Sequence, residues 1–383
     1  MYHIYNTVSD LPDSWDGLVK QDVFLQSDYL QALEASAPEN IKCYYIGIFK
    51  ADNLVGIAII QRVQLYLKDM FRNAQVSCVK DFLKDQVSRI LKGNILVVGN
   101  LMHTGQHGML FKKENIDQTE YLKLIFEALN DIEKQIKQDE NKTIRAVVFK
   151  DYFLKDTMHS EVDFFKSHGL YQVAVQPNMI MEVKSGWTNF QDYISELNKK
   201  YRTRYKRARK KFNGIISQEL NLDAIENNQN QLYALYLNVS DNAKFNTFIL
   251  SQNHFYQLKL QLKERFKVYG YFLNNELVGF YTLILNGNDL ETYFLGYDCK
   301  HQYPNQLYLN MLYDMAEYGI NNNFKNIVYA RTAMEIKSSV GAEAKPMVMY
   351  LKHTNYVLNA LLKEIFGLMN PTKQDWQPRH PFR

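Results

Sequence analysis

Residues 47–56 read GIFKADNLVG, and residues 270–279 read GYFLNNELVG. Gly47, Phe49, Leu54, Val55 and Gly56 return as Gly270, Phe272, Leu277, Val278 and Gly279. Each stretch is a strand, a polar turn (Ala51-Asp52-Asn53 or Asn274-Asn275-Glu276) and a second strand, Ile57–Ile60 or Phe280–Leu283. Asn and Asp tolerate the backbone conformations that a tight hairpin turn demands, so the spacing predicts a β-hairpin twice over.

The elements that follow keep one order. The first hairpin precedes a strand at Ile95–Val98, a helix near 118–138 and a strand at Ile144–Phe149. The second precedes a strand at Thr292–Leu295, a helix near 305–321 and a strand at Asn326–Tyr329. Leu122, Ile125, Phe126, Leu129 and Ile132 share one helical face, as do Leu309, Leu312, Tyr313, Ala316 and Ile320. Helical sequence also precedes each hairpin: Ser27 is expected to cap a short helix through Ala35, and 229–240 and 252–265 read as helices. The chain is therefore a tandem duplication of one mixed α/β unit, each copy a mainly antiparallel sheet flanked by helices. The first copy is expected to span 1–184, with an insertion at about 64–93 that reads as helical from Asp81 to Leu91. The second spans 185–383. The boundary near Lys184-Ser185-Gly186 has no flexible linker, which predicts close packing of the copies and a functional cleft between them.

Composition sets limits. The 383 residues are 46% hydrophobic and 22% charged, a globular balance. Aromatic residues reach 14%, with 27 Tyr, which suits either Tyr-rich cores or an aromatic groove. The start, MYHIYNTVSD, lacks the features of a signal peptide, and the longest clean apolar run, Leu54 to Ile60, is far too short to span a membrane. Cys43, Cys78 and Cys299 are too scattered for a disulfide framework or a zinc site. A cytoplasmic protein is the expectation.

Three stretches carry a resemblance: LNKKYRTRYKRARKKF at 197–212, GYFLNNELVGFYTLILNGNDLETYFLGYD at 270–298, and ARTAMEIKSSVGAEAKPMVMY at 330–350. They are similar to the tandem GNAT acyltransferases of the FemAB-like and BioF2-like group, closely over about 190–360 and more weakly over 24–180. The resemblance implies acyl transfer to an amine, with acetyl-CoA or another acyl-CoA as donor. In the single-domain family the donor's pyrophosphate sits on backbone N–H groups of a Gly-rich loop at a helix N-terminus. The matching loop of copy two, 298–305, has no glycine. Copy one offers GNLMHTGQHG at 99–108, whose Gly105 and Gly108 suit a phosphate nest or simply a flexible loop. His103 and His107 have no evident third ligand, so no metal is expected.

Candidate chemistry gathers at strand ends of copy two. Glu291, Tyr293, Tyr297 and Asp298 lie on or just beyond the strand that in this fold splays to admit the donor. Glu291, Tyr293 and Tyr297 share parity unless an irregularity near Gly296 intervenes. Glu291 or Asp298 would help deprotonate an amine, and Tyr293 or Tyr297 would protonate a leaving group. Arg331 and Lys337 follow a buried strand and suit an anion clamp; the alternative is pairing with Glu335 and Glu343.

Residues 199–211 hold nine Lys or Arg, and because the whole chain carries +4 the remainder sums to −5. Ile194, Leu197, Tyr201, Tyr205, Ala208 and Phe212 recur at helical spacing, which predicts one docked amphipathic helix. Arg204, Arg207 and Lys211 would then grip donor phosphates or tRNA, the alternative being a solvated face. Three functions follow: an acyl-CoA-dependent N-acyltransferase; a Fem-like transferase that takes aminoacyl-tRNA to a cell-wall precursor; or a non-catalytic descendant that binds an anionic ligand or a partner.

Overall fold

The computed structural model describes residues 1–65, 90, 92–242, 247–369 and 376–382. Most of the expected insertion, including nearly all of the helix at 81–91, lies outside them.

In copy one, β1 (Tyr2–Tyr5), α1 (Trp15–Leu18) and α2 (Ser27–Ala35) lead to the hairpin β2 (Ile41–Lys50) and β3 (Asn53–Leu65). Next come β4 (Gly93–Val98), β5 (Met109–Phe111), α3 (Gln118–Glu140), β6 (Ile144–Phe153), α4 (Val162–Ser167) and β7 (Tyr171–Glu182). Copy two begins with α5 (Phe190–Glu196), α6 (Lys199–Lys211), β8 (Ile215–Glu219), α7 (Leu222–Asn227), α8 (Gln229–Ser240) and α9 (His254–Leu262). Its hairpin is β9 (Phe266–Leu273) and β10 (Glu276–Asn286), followed by β11 (Asp289–Tyr297), α10 (Cys299–Asn305) and α11 (Leu307–Asn321). It closes with β12 (Asn326–Val328), α12 (Met334–Ser338), β13 (Glu343–His353) and α13 (Tyr356–Met369).

The two hairpins match down to their irregularities. Ala51 and Asp52 take φ of 45° and 63°, and Asn274 and Asn275 take 50° and 67°. Both hairpins slip register in the same place, between Ile48 and Phe49 in one and between Leu277 and Gly279 in the other. The repeated glycine past the turn has a packing cause. A Cβ on Gly56 would lie 2.9 Å from the Tyr121 ring of α3, and one on Gly279 would lie 2.9 Å from Met311 of α11. In each copy a buried side chain of the long helix presses on that bare backbone.

The compact units do not follow the expected division at 184/185. Unit 1 comprises Met1–Val175, Lys244–Ser251 and Pro346–Thr372; unit 2 comprises Gln176–Ala243, Gln252–Lys345 and Lys373–Arg383. In unit 1 the strands run β1-β2-β3-β4-β6-β13, with β5 also on β3; in unit 2 they run β8-β9-β10-β11-β12-β7. Each order contains one parallel pair, β4 with β6 and β11 with β12. The last place in each unit is taken by the final strand of the other copy: β13 pairs with β6, and β7 with β12. Alternating apolar residues make both final strands fit either edge, so sequence order alone assigns each to its own copy.

Thirteen of the 27 tyrosines are buried. Tyr44, Tyr45, Tyr121 and Tyr152 are fully buried in unit 1, and Tyr193, Tyr271, Tyr313 and Tyr329 in unit 2. Two expectations are corrected locally. Ser27 is the first residue of α2 and not its cap, its N–H and hydroxyl both donating to Asp16. The amphipathic run 194–212 is two helices, because Leu197 is extended (ψ 135°) and Asn198 starts a new helix by capping Tyr201 N–H. Among the described residues no helix is long and apolar enough to cross a membrane.

Candidate functional site

In unit 2 the parallel pairing of β11 with β12 covers only Asp289–Glu291 against Asn326–Val328. Beyond it the chain turns sharply, with Ala330, Thr332 and Ala333 at φ of 57°, 66° and 46°. Helix α12 then folds back so that Lys337 Nζ donates to the carbonyls of Ala330 (3.3 Å) and Arg331 (2.5 Å). Lys337 is 6% exposed, and burial pulls its amine down to about 7. The acids weighed as partners for Arg331 and Lys337 are engaged elsewhere, Glu335 with Arg379 (3.1 Å) and Glu343 with Lys345 (3.2 Å).

On β11, Glu291 is buried and Tyr293 is half-buried. The Tyr293 hydroxyl lies 3.2 Å from Nε2 of His254, a fully buried residue of α9 whose ring is stacked on it. Tyr297 does not share that face. A register shift between Tyr281 and Leu283 breaks the alternation, and Tyr297 packs toward Tyr308 of α11. Asp298 caps α10, accepting from Lys300 N–H at 2.8 Å.

Residues 298–305, expected as a loop, form that cap and α10 itself. Gln306 takes φ 51° and α11 follows. The Gln302 side chain turns back to accept the Tyr308 N–H at 3.0 Å. The end of α6 packs here: Asn310 Nδ2 donates to Ala208 O and Asn305 Nδ2 to Lys211 O, both at 3.1 Å.

Helix α6 buries Tyr201 and Ala208 and leaves most of its cations exposed. Two are engaged. Arg202 donates to Ser195 O and Leu197 O, closing the end of α5. Arg209 turns inward, 2.5 Å from Asp314 and 3.5 Å from Glu317, flanked by the rings of Tyr205 and Tyr313. Tyr271 donates to the second oxygen of Asp314, and burial pushes that carboxyl up against the pull of Arg209. Lys199, Lys200, Lys206, Arg207, Lys210 and Lys211 are exposed and Arg204 half-exposed; none makes an ion pair with a described acid.

In unit 1 the glycine-rich stretch lies elsewhere than expected. Val98 pairs with Ile60 and Phe111 with Gly56, as Thr292 pairs with Leu283 and Tyr297 with Gly279. Residues 99–110 therefore match 293–296, and the counterpart of the lead-in to α11 is 112–117. The stretch is an expanded bulge within a strand. It is tied down: Lys150 Nζ donates to His103 O (3.0 Å) and Gly105 O (3.2 Å), and Gly105 N–H donates to Asp151 (3.2 Å). Gly108 N–H donates to the Gln106 side chain (3.2 Å), so both backbone donors proposed for phosphate are engaged. A Cβ on Gly108 would lie 2.2 Å from the Cα of Gly99, so these two backbones meet directly. His107 Nδ1 lies 2.7 Å from Asp22, and both His103 and His107 rest against Phe24.

No protein-family model and no curated protein sequence matches the chain. Among solved structures it is similar to FemX, at 9% identity and a TM-score of 0.58 over 95% of this chain and 100% of that one. It is also similar to a tandem GNAT protein from the clavulanic acid biosynthesis pathway, at 9% identity and a TM-score of 0.52 over 93% and 99%. The chain has the tandem GNAT fold.

Within that fold the place expected to cradle a coenzyme pyrophosphate is the lead-in to α11. Its residues fit a pyrophosphate poorly, since the Tyr308 N–H is taken by Gln302 and α6 packs against the neighbouring side chains. Sequence reasoning missed His254 and the Arg209–Asp314–Tyr271 cluster. His254 has no local motif. Asp314 had a usable signal, an acid flanked by the apolar Tyr313 and Met315, and Arg209 was one cation among nine.

Proposed function

We propose that the chain is a Fem-type transferase that moves an aminoacyl group from an RNA carrier onto the amine of a cell-wall precursor. The observation that supports it is the joint state of α6 and the α11 lead-in. Seven cations that pair with no described acid lie on α6, beside a helix start whose Tyr308 N–H is engaged by Gln302. A coenzyme needs a bare, compact cradle, whereas an RNA backbone needs a row of exposed cations. In the reaction the acceptor nitrogen attacks the ester carbonyl, the C–N bond forms and the C–O bond to the ribose breaks. The amine loses one proton and the ribose oxygen gains one. Tyr293, with His254 behind its hydroxyl, is the assigned donor to that oxygen, and Glu291 the assigned acceptor from the amine.

The test is transfer itself. With tRNA charged with labelled amino acids and a precursor peptide bearing a free amine, label is expected to pass from tRNA to peptide. Tyr293→Phe should slow transfer about 100-fold, the lower end of general-acid contributions. Acetyl transfer from acetyl-CoA, with none from charged tRNA, would replace this reading by the coenzyme-dependent one.

A further inference from the structure

Unit 2 holds a cavity of about 400 Å³ between α11 and the strands β9 and β10, near the end of α6. Its aromatic wall is built from Tyr269, Tyr281 and Tyr318. Tyr269 and Tyr281 stack at 5.1 Å, and Tyr318 stands 6.1 Å from Tyr269, tilted by 64°. The rings thus present two orientations to one space.

The charges lining that space do not balance. Arg209 is matched by Asp314 at 2.5 Å, and Tyr271 takes the other Asp314 oxygen. Glu317 is then in excess. It reaches Arg209 only at 3.5 Å, and 46% of its side chain is exposed. Burial pushes the Glu317 carboxyl up, Arg209 pulls it down and Asp314 adds a smaller push up. An anion would meet two carboxylates here, and a neutral ring would desolvate Glu317 without pairing it. A cation with an apolar body satisfies both features, its charge toward Glu317 and its methyl or methylene groups on the tyrosine faces.

We infer that this cavity binds an organic ammonium ion. The site is separate from the strand-end residues assigned to transfer, and it stands whichever donor the protein uses.

Choline and its uncharged isostere 3,3-dimethylbutan-1-ol, titrated calorimetrically into the full-length protein, test the inference. Choline is expected to bind, and the isostere about tenfold more weakly or not at all. Glu317→Gln and Tyr318→Leu should each weaken choline about fivefold or more, with Glu276→Gln in the β9–β10 turn as an unaffected control. Glu317 is partly exposed, so its variant should melt as the parent does. Equal binding of choline and isostere would make the cavity merely apolar and overturn the inference. So would the absence of choline binding up to about 10 mM, or unchanged binding in Glu317→Gln.

Discussion

Lys150 in unit 1 and Lys337 in unit 2 serve matching strand ends by different means. Counted from the parallel pairs Val97–Val148 and Glu291–Val328, Lys150 stands where unit 2 has Ala330. Lys150 is 2.7 Å from Asp151, both buried, and its ammonium gathers the carbonyls of the expanded bulge. In unit 2 the bulge is short, and Lys337 reaches back from α12 to two carbonyls, its amine brought down to about 7 by burial. One unit has a long bulge whose carbonyls are held by a buried lysine paired with Asp151. The other has a short bulge carrying Tyr293, with His254 against it, and holds the strand end with a buried lysine that donates to two carbonyls. Matching strand ends are thus held by a buried ion pair in one unit and by a buried lysine on two backbone carbonyls in the other.

Removing the counter-charge should break this contrast most severely. Asp151→Asn keeps shape and a residue type that tolerates φ 62°, but leaves the Lys150 ammonium buried without its carboxylate. The expected loss is about 4 kcal/mol of unfolding free energy in urea. A loss below about 1 kcal/mol would mean that the loop does not depend on the pair.

A smaller effect should appear at Lys337 as a dependence on pH. Its folded value of about 7 lies below the ordinary 10.5, so between these pH values the unfolded chain binds more protons than the folded one. Stability contributed here therefore rises with pH across that window, by about 1.4 kcal/mol for each unit. Relative to Lys337→Met, the parent protein should gain about 2 kcal/mol between pH 7 and pH 9. A flat difference would place the amine in its ordinary range and remove the contrast with Lys150.

What the sequence disclosed follows from the range of its signals. Turn residues, alternation and helical faces are local, so both hairpins, both long helices and the tandem order could be read from residues such as Asn274-Asn275 and the Leu122–Ile132 stripe. The exchange of β7 and β13 depends on which edge each strand finds, and nothing local to either strand encodes that. The glycine stretch 99–108 was misplaced because element order does not reveal that the extra residues enter at a bulge and not before a helix. The candidates Glu291, Tyr293, Tyr297, Asp298, Arg331 and Lys337 were chosen for their positions at or just beyond strand ends. The bulge that sends Tyr297 to the other side, and the partners His254 and Asp314, required the fold.

The central claim is that α6 of unit 2 reads an RNA-borne donor, and filter binding of tRNA tests it most directly. The variant carrying Lys206→Gln, Arg207→Gln, Lys210→Gln and Lys211→Gln alters only exposed side chains that pair with no described acid. Its affinity is expected to fall at least about tenfold, and the slope of log K against log salt should flatten by about 3, with free coenzyme A failing to compete in either protein. Unchanged affinity and slope in the variant, or displacement of tRNA by coenzyme A at the α11 lead-in, would contradict it.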